Sequence, residues 1–198
     1  MGINSVAVIG AGTMGAGIAQ VCAQAGWHTN LYDAFPEGLE RGMNTIDAFW
    51  DKGIARGKTT ADQKAAWAAN LHAVSDMHEA VKDADLVIEA VPEIPDLKHK
   101  IFAELGSMTK EECILGTNTS SLSIADIAAA SGRPEKVIGM HFFNPVPIMK
   151  LLELIKHDSC SEETIRAATA AGEAMGKTTI LVKDVPGFAT SRLGVVLG

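Results

Sequence analysis

Ser5-Val-Ala-Val-Ile-Gly-Ala-Gly-Thr-Met-Gly15 is the stretch on which the fold turns. A short apolar run leads straight into Gly10, Gly12 and Gly15, spaced G-x-G-x-x-G, and an amphipathic segment follows. A second short run, Thr29-Asn-Leu-Tyr32, then ends on the acid Asp33. Strand, glycine turn, helix, strand and acid, in that order, make the βαβ unit that holds a dinucleotide. Gly10 permits the tight turn out of the strand, Gly12 lets the backbone approach a pyrophosphate, and Gly15 lets the helix pack close on the sheet. Amides at the start of the helix near Met14 face the phosphates, helped by the helix dipole. The expected cofactor-binding stretch is therefore Gly10, Ala11, Gly12, Thr13, Met14 and Gly15. Asp33 accepts hydrogen bonds from ribose hydroxyls and repels a 2′-phosphate, which selects NAD over NADP. Arg41 is the nearby cation that works against that preference.

Outward from this unit, short β-branched runs alternate with longer helical patterns, the signature of a parallel sheet with crossover helices. Strands are predicted over 5–9, 29–32, 72–74, 86–89, 113–117, 137–141 and 178–182, with 151–155 as a return strand. Helices are predicted over 14–25, 37–52, 61–70, 96–108, 124–130 and 162–175. The fold class is thus α/β, a Rossmann-type doubly wound and mainly parallel sheet. Thr60 and Gln63 form a capping box, Ser161 caps a helix, and Gly26 and Gly176 fall where helices end. The segment between Glu37 and Asn70 is larger than a βαβ unit needs. It reads as a helical pair, either projecting from the sheet to wall a ligand cleft or packed on the domain as an amphipathic hairpin.

Composition narrows the function. Over 198 residues, 47% apolar and 21% charged usage is that of a globular domain with a proper core. A net charge of −7 disfavours nucleic acid, which wants a basic face. No apolar stretch approaches the roughly 20 residues that span a bilayer, and the N-terminus lacks a basic region followed by an apolar one. Cys22, Cys113 and Cys160 are widely spaced, which suits a reducing cytoplasm and buried thiols. The histidines are scattered, so no metal site is expected.

A second informative stretch is Gly139-Met-His-Phe-Phe-Asn-Pro-Val-Pro-Ile-Met-Lys-Leu-Leu-Glu153. His141 ends a predicted strand at the carboxyl edge, where doubly wound sheets place their ligands. Glu153 lies on the next extended segment. A histidine backed by a carboxylate is a general base, because the acid selects the tautomer and stabilises the imidazolium. On spacing alone, a buried structural histidine is the other reading.

Gly10–Gly15, Glu89-Ala-Val-Pro-Glu93, Asn118-Thr-Ser-Ser-Leu122, the run His141-Phe-Phe-Asn-Pro-Val-Pro147, Glu153 and Asp184-Val-Pro-Gly-Phe188 together resemble the L-3-hydroxyacyl-CoA dehydrogenase family, most nearly its short-chain 3-hydroxybutyryl-CoA members. The resemblance implies reversible oxidation of the 3-hydroxyl of an acyl-CoA by NAD, in fatty acid metabolism (β-oxidation) or butanoate metabolism. It implies that His141 is the acid/base, that Glu153 orients it, and that Ser120 hydrogen-bonds the substrate oxygen. Asn144 would contact the nicotinamide end of the cofactor or the substrate. Glu93 and Lys98 match cofactor-contacting positions, and Thr45 and Lys52 fall where the family contacts CoA. The reading of the residues leaves another role for Thr119, Ser120 and Ser121, as caps of the helix near Ile124.

Two departures accompany the resemblance. Ser191 stands where the family usually carries an asparagine. Family members also continue into a helical second domain that closes the cleft and supplies most of the dimer contact. Residues 1–183 are therefore expected to form the NAD-binding domain, and 184–198 a linker with the start of a helix. On this reading the chain is a truncated form with weakened catalysis. The longer form is a homodimer, and the apolar run from Phe188 to Leu197 invites self-association. The competing readings are a dehydrogenase of a CoA-free hydroxy acid or polyol, and a cofactor-binding module without turnover. A hydroxyisobutyrate-type dehydrogenase shares the glycine turn, but its catalytic lysine fits poorly with a histidine–glutamate pair.

Overall fold

The computed structural model describes residues 2–185 and Phe188. In chain order the strands are β1 (Ser5–Ile9), β2 (His28–Tyr32), β3 (Leu71–Val74), β4 (Leu86–Glu89), β5 (Ile114–Thr117), β6 (Val137–Phe142), β7 (Leu151–Lys156) and β8 (Thr178–Lys183). The helices are α1 (Thr13–Gln24), α2 (Pro36–Ala55), α3 (Ala61–Ala68), α4 (Met77–Val81), α5 (Pro95–Met108), α6 (Ile124–Ala130) and α7 (Glu162–Ala174). The strands form one sheet in the order β3-β2-β1-β4-β5-β6-β7-β8. The first six strands are mutually parallel. β7 reverses against β6, and β8 runs parallel to β7. The strand order turns back at β1 and β4, so a crevice opens between their carboxyl ends, where ligands of this architecture bind.

Alternation along the strands divides the core between the two faces. Val6 and Val8 point to one face, with Ile18 of α1, Ile46 of α2 and Ile165 of α7. Ala7 and Ile9 point to the other, with Phe102 of α5 and Ile127 of α6. The central strands are buried on both sides and read as unbroken apolar runs, such as Leu-Val-Ile in β4. The expected caps are present. Thr60 and Gln63 bond reciprocally, and Ser161 accepts from the amide of Thr164. Gly26 and Gly176 take left-handed φ values of 88° and 73° where α1 and α7 end.

The helical pair resolves largely in favour of packing. Leu39, Gly42, Ile46 and Trp50 form one buried stripe along α2. Gly42 lies so close to the glycine turn that an added Cβ would stand 2.8 Å from the Ala11 carbonyl oxygen. α3 has no buried residue, although Trp67 tilts against Trp50 at a centroid distance of 5.9 Å. The pair therefore packs on α1 and borders the turn. α4 is not among the helices predicted from the sequence, because five residues are too few to show a period. Its only local sign is Asp76, whose carboxylate accepts from the amide of Glu79. The expected linker and helix over 184–198 lie outside the described residues except for Asp184, Val185 and Phe188. Phe188, the first residue of the apolar run, is buried at 1% exposure. Among the described residues no helix is long and apolar enough to cross a membrane.

Candidate active site

The glycine turn occupies the β1–β4 crevice. Gly10 has a φ of 101°, which side-chain-bearing residues rarely adopt. A Cβ there would also lie 2.8 Å from the Ala90 carbonyl oxygen at the end of β4. At Gly15 a Cβ would fall 1.7 Å from the Gly10 carbonyl oxygen. Around Gly12 there is nothing within 4 Å, so the backbone is open on that side. Gly12 is also the N-cap of α1, which carries no side-chain cap and no acid in its first turn. The first amides of α1 are thus available to an anion, and the site fits a pyrophosphate.

Asp33 does more than the sequence reading gave it. Its Oδ2 accepts from the Ala11 amide at 2.8 Å, and its Oδ1 accepts from the Phe35 amide at 2.9 Å. The carboxylate braces the turn, and each oxygen retains capacity for a ribose hydroxyl. A cleft of about 420 Å³ lies beside it, lined by Asp33, Leu39, Met43 and Ala73 among others.

The second group of residues sits further along the same edge. His141 of β6 is directly opposite Glu153 of β7 in the antiparallel register. Their side chains share a face, and Nδ1 of His141 lies 2.7 Å from Oε2 of Glu153. Glu153 is fully buried and His141 nearly so. A carboxylate only accepts, so Nδ1 carries the proton and Nε2 holds the free lone pair of the neutral ring. The rings of Phe143 and Phe188 flank the imidazole at 4.6 and 5.9 Å between centroids. Asn118, at the end of β5, accepts from the Phe142 amide at 2.9 Å and ties the loop after β5 to the strand bearing His141.

Between the two groups lies a buried ionic cluster that the sequence reading resolved only in part. Lys98 is wholly buried, and its Nζ meets Glu89 Oε1 at 2.7 Å, the Val91 carbonyl at 3.2 Å and Glu93 Oε2 at 3.3 Å. Its donors are turned inward, so it reaches the crevice through Glu93. Thr117 closes the far side by donating to Glu89 at 2.7 Å. Glu93 accepts from the Thr119 hydroxyl and from the Ser120 amide at 3.0 Å. Burial works to raise the Glu93 carboxyl, but the Thr119 hydroxyl, the Lys98 charge and the Ser120 amide outweigh it and hold it below the ordinary carboxylate range. Glu89 was missed as a structural anchor. Its one sequence signal is a lone acid closing an apolar strand.

Ser123 is the N-cap of α6, and Thr119 accepts from the amides of Ser121 and Leu122. Ser120 is exposed at the edge of the crevice, its amide held by Glu93. Asn144 is exposed on the loop that joins β6 to β7. Thr45 and Lys52 lie on the exposed side of α2, and the Thr45 hydroxyl donates to the carbonyl of Arg41 within its own helix. Ser191 lies outside the described residues. Burial pushes the Cys22 and Cys113 thiols up to about 12, which makes both packing residues and not nucleophiles.

A cleft of about 790 Å³ lies at the opposite, amino edge of the sheet, near Ile3, Asp85 and Arg166. Its charges pair within it, as with Lys110 and Asp85 at 2.8 Å and Lys136 and Glu163 at 3.7 Å. Size alone points there, but the convergent polar groups lie at the carboxyl edge, and the chemistry follows them.

A left-handed glycine turn at the switch point of a parallel sheet, with an acid closing β2, defines a dinucleotide-binding α/β domain. Residues 5–185 match the family described as 3-hydroxyacyl-CoA dehydrogenase, NAD binding domain. A protein of Deinococcus radiodurans named "Probable 3-hydroxybutyryl-CoA dehydrogenase" is 44% identical over 94% of this chain. A Bacillus subtilis protein of the same name is 42% identical over 98%. The chain spans 66% and 67% of the length of these two relatives. The crystal structure of 3-hydroxybutyryl-CoA dehydrogenase from Escherichia coli superposes with a TM-score of 0.95 at 40% identity, over 98% of this chain and 41% of that one. The chain belongs to the 3-hydroxyacyl-CoA dehydrogenase NAD-binding domain family, and its cofactor is NAD.

Proposed function

We propose that this chain is the cofactor-binding and proton-transferring part of an NAD-dependent L-3-hydroxyacyl-CoA dehydrogenase, with short-chain substrates such as 3-hydroxybutyryl-CoA. The observation that carries the reading is the His141–Glu153 pair, 2.7 Å apart on the same sheet edge as the glycine turn. Bound NAD supplies the hydride acceptor. The protein has to remove the hydroxyl proton as the C–H bond breaks, and on this reading Nε2 of His141 is the base that takes it. Glu153 holds the ring in the tautomer that leaves Nε2 basic and stabilises the imidazolium that forms. The Ser120 hydroxyl holds the substrate oxygen, and Asn144 meets the nicotinamide end or the substrate. The amides of Gly10 to Gly15 bind the pyrophosphate, Asp33 the ribose, and Glu93 the cofactor side of the crevice, set by Lys98 from beneath. Thr45 and Lys52 on α2 take the CoA moiety.

The same reading takes residues 1–183 as one cofactor domain, since β8 is the last strand of the sheet among the described residues. It takes the enzyme to be a cytoplasmic homodimer, on the family resemblance and the cysteine usage. The test is NADH oxidation with acetoacetyl-CoA, run beside direct NADH binding and a free-acetoacetate control. Turnover with the CoA ester and not with the free acid is the expected result. Turnover of the free acid instead favours a CoA-free hydroxy-acid dehydrogenase, and binding without turnover favours a cofactor module.

A further inference from the structure

The loop spanning 143–150 separates His141 from Glu153, and it is held from beneath by a lysine to which the chemistry above gives no task. Lys177 follows Gly176, where the chain leaves α7 for β8, and it is only 7% exposed. Its Nζ donates to the Val146 carbonyl and, at 2.8 Å, to the Met149 carbonyl. Next to it, the Thr178 amide donates to the Lys150 carbonyl at 2.7 Å. Within the loop, the amides of Ile148 and Met149 both turn back to the Pro145 carbonyl. Val146 is buried against α1, so close that a Cβ on Gly17 would stand 2.8 Å from its own. The outer side of the loop is open: Asn144 is exposed, as are Ile148 and Met149.

An ammonium buried on carbonyls is a costly way to fill space. Desolvation disfavours it, and the charged or ionisable groups that act on it are Lys150, a like charge, and Cys22 of α1. What the lysine offers in return is geometry. One point donor ties two carbonyls of the same loop and fixes its curvature. We propose that Lys177 is a positioning residue for the nicotinamide end of the site, holding loop 143–150 so that Asn144 faces the bound ring beside His141. This rests on the reading of Asn144 given above.

The test compares two ligands that share the adenosine and pyrophosphate but differ at the nicotinamide: NADH and ADP-ribose. In Lys177→Met, NADH affinity falls by about tenfold, while ADP-ribose affinity stays within about twofold of wild type. A variant that merely loosened the fold would lower both together. Parallel losses, or no loss for either ligand, overturn the proposal while leaving the cofactor site intact. A wild-type chain that binds neither ligand overturns the cofactor reading itself, and the proposal with it. Should Lys177→Met fail to fold, Lys177→Gln, which keeps one donor group on the loop, gives the same comparison.

Discussion

The glycine turn and the His141–Glu153 pair lie on one edge of one sheet, yet they are built by opposite means. The turn is made of consecutive residues, and its working parts are backbone amides and missing Cβ atoms. The pair is made of residues 12 apart in sequence, joined by the register of the antiparallel β6–β7 pairing. Its working parts are side chains. A backbone site fails when something is added, whereas a side-chain site fails when something is removed. That difference ranks what substitutions should do.

The largest effect is expected within the turn, and it separates two glycines. Gly15→Ala drives a methyl into the Gly10 carbonyl, since the Cβ position lies 1.7 Å from that oxygen. It should cost about 3 kcal/mol or more of fold stability, read from the urea midpoint. Gly12→Ala meets no protein atom within 4 Å. Its unfolding midpoint should match wild type while NADH binding, followed by fluorescence, weakens by about tenfold or more, as the methyl stands where the pyrophosphate must approach. Equal stability losses in both variants would erase the distinction.

Removal should act differently. His141→Gln is expected to lower turnover by roughly 10²–10⁴-fold with NADH affinity nearly unchanged, because the imidazole transfers a proton and does not hold the dinucleotide. Loss of NADH binding would mean that the histidine is structural and that the two regions are one. A smaller step comes from the serines. Ser120→Ala should reduce turnover by about tenfold, through a lost hydrogen bond to the substrate oxygen, and Ser121→Ala should have little effect. Equal losses would return both hydroxyls to loop structure.

The last effect is a pH dependence. Burial and the Lys150 charge pull the Lys177 ammonium down from 10.5 to about 8. Between about pH 8 and 10.5 the unfolded chain therefore binds more protons at this lysine than the folded one, so the fold gains stability as pH rises through that window. Below pH 8 the cost of the buried charge is fully present. Urea midpoints at pH 7 and 10 for wild type and Lys177→Met check this. The wild type should gain on the variant at the higher pH, and a constant difference would place the amine in water.

The contrast also explains what could be read from the chain without coordinates. The βαβ unit was legible because its parts are contiguous: a strand, three spaced glycines, a helix and Asp33. Caps such as Thr60 with Gln63 were legible for the same reason, since each is satisfied within one turn of helix. The His141–Glu153 pair was only half legible. Both residues stood out as polar side chains in apolar strands, but whether they met depended on a register no local pattern encodes. Lys98 showed as a site residue, and only packing revealed that it faces inward onto Glu89 and Glu93. Lys177 gave no sign at all, because a lysine after a helix-ending glycine looks like ordinary solvent-facing punctuation.

The amino-acid sequence by itself determined the dinucleotide turn, the mainly parallel sheet and the preference for NAD, because these follow from backbone sterics and from periodicities a few residues long. Tertiary structure alone decided that Nδ1 of His141 meets Glu153, that Asp33 braces the turn it serves, that buried Lys98 holds Glu89 and Glu93, and that buried Lys177 holds loop 143–150. Those contacts join residues that only strand register and helix packing bring within bonding distance.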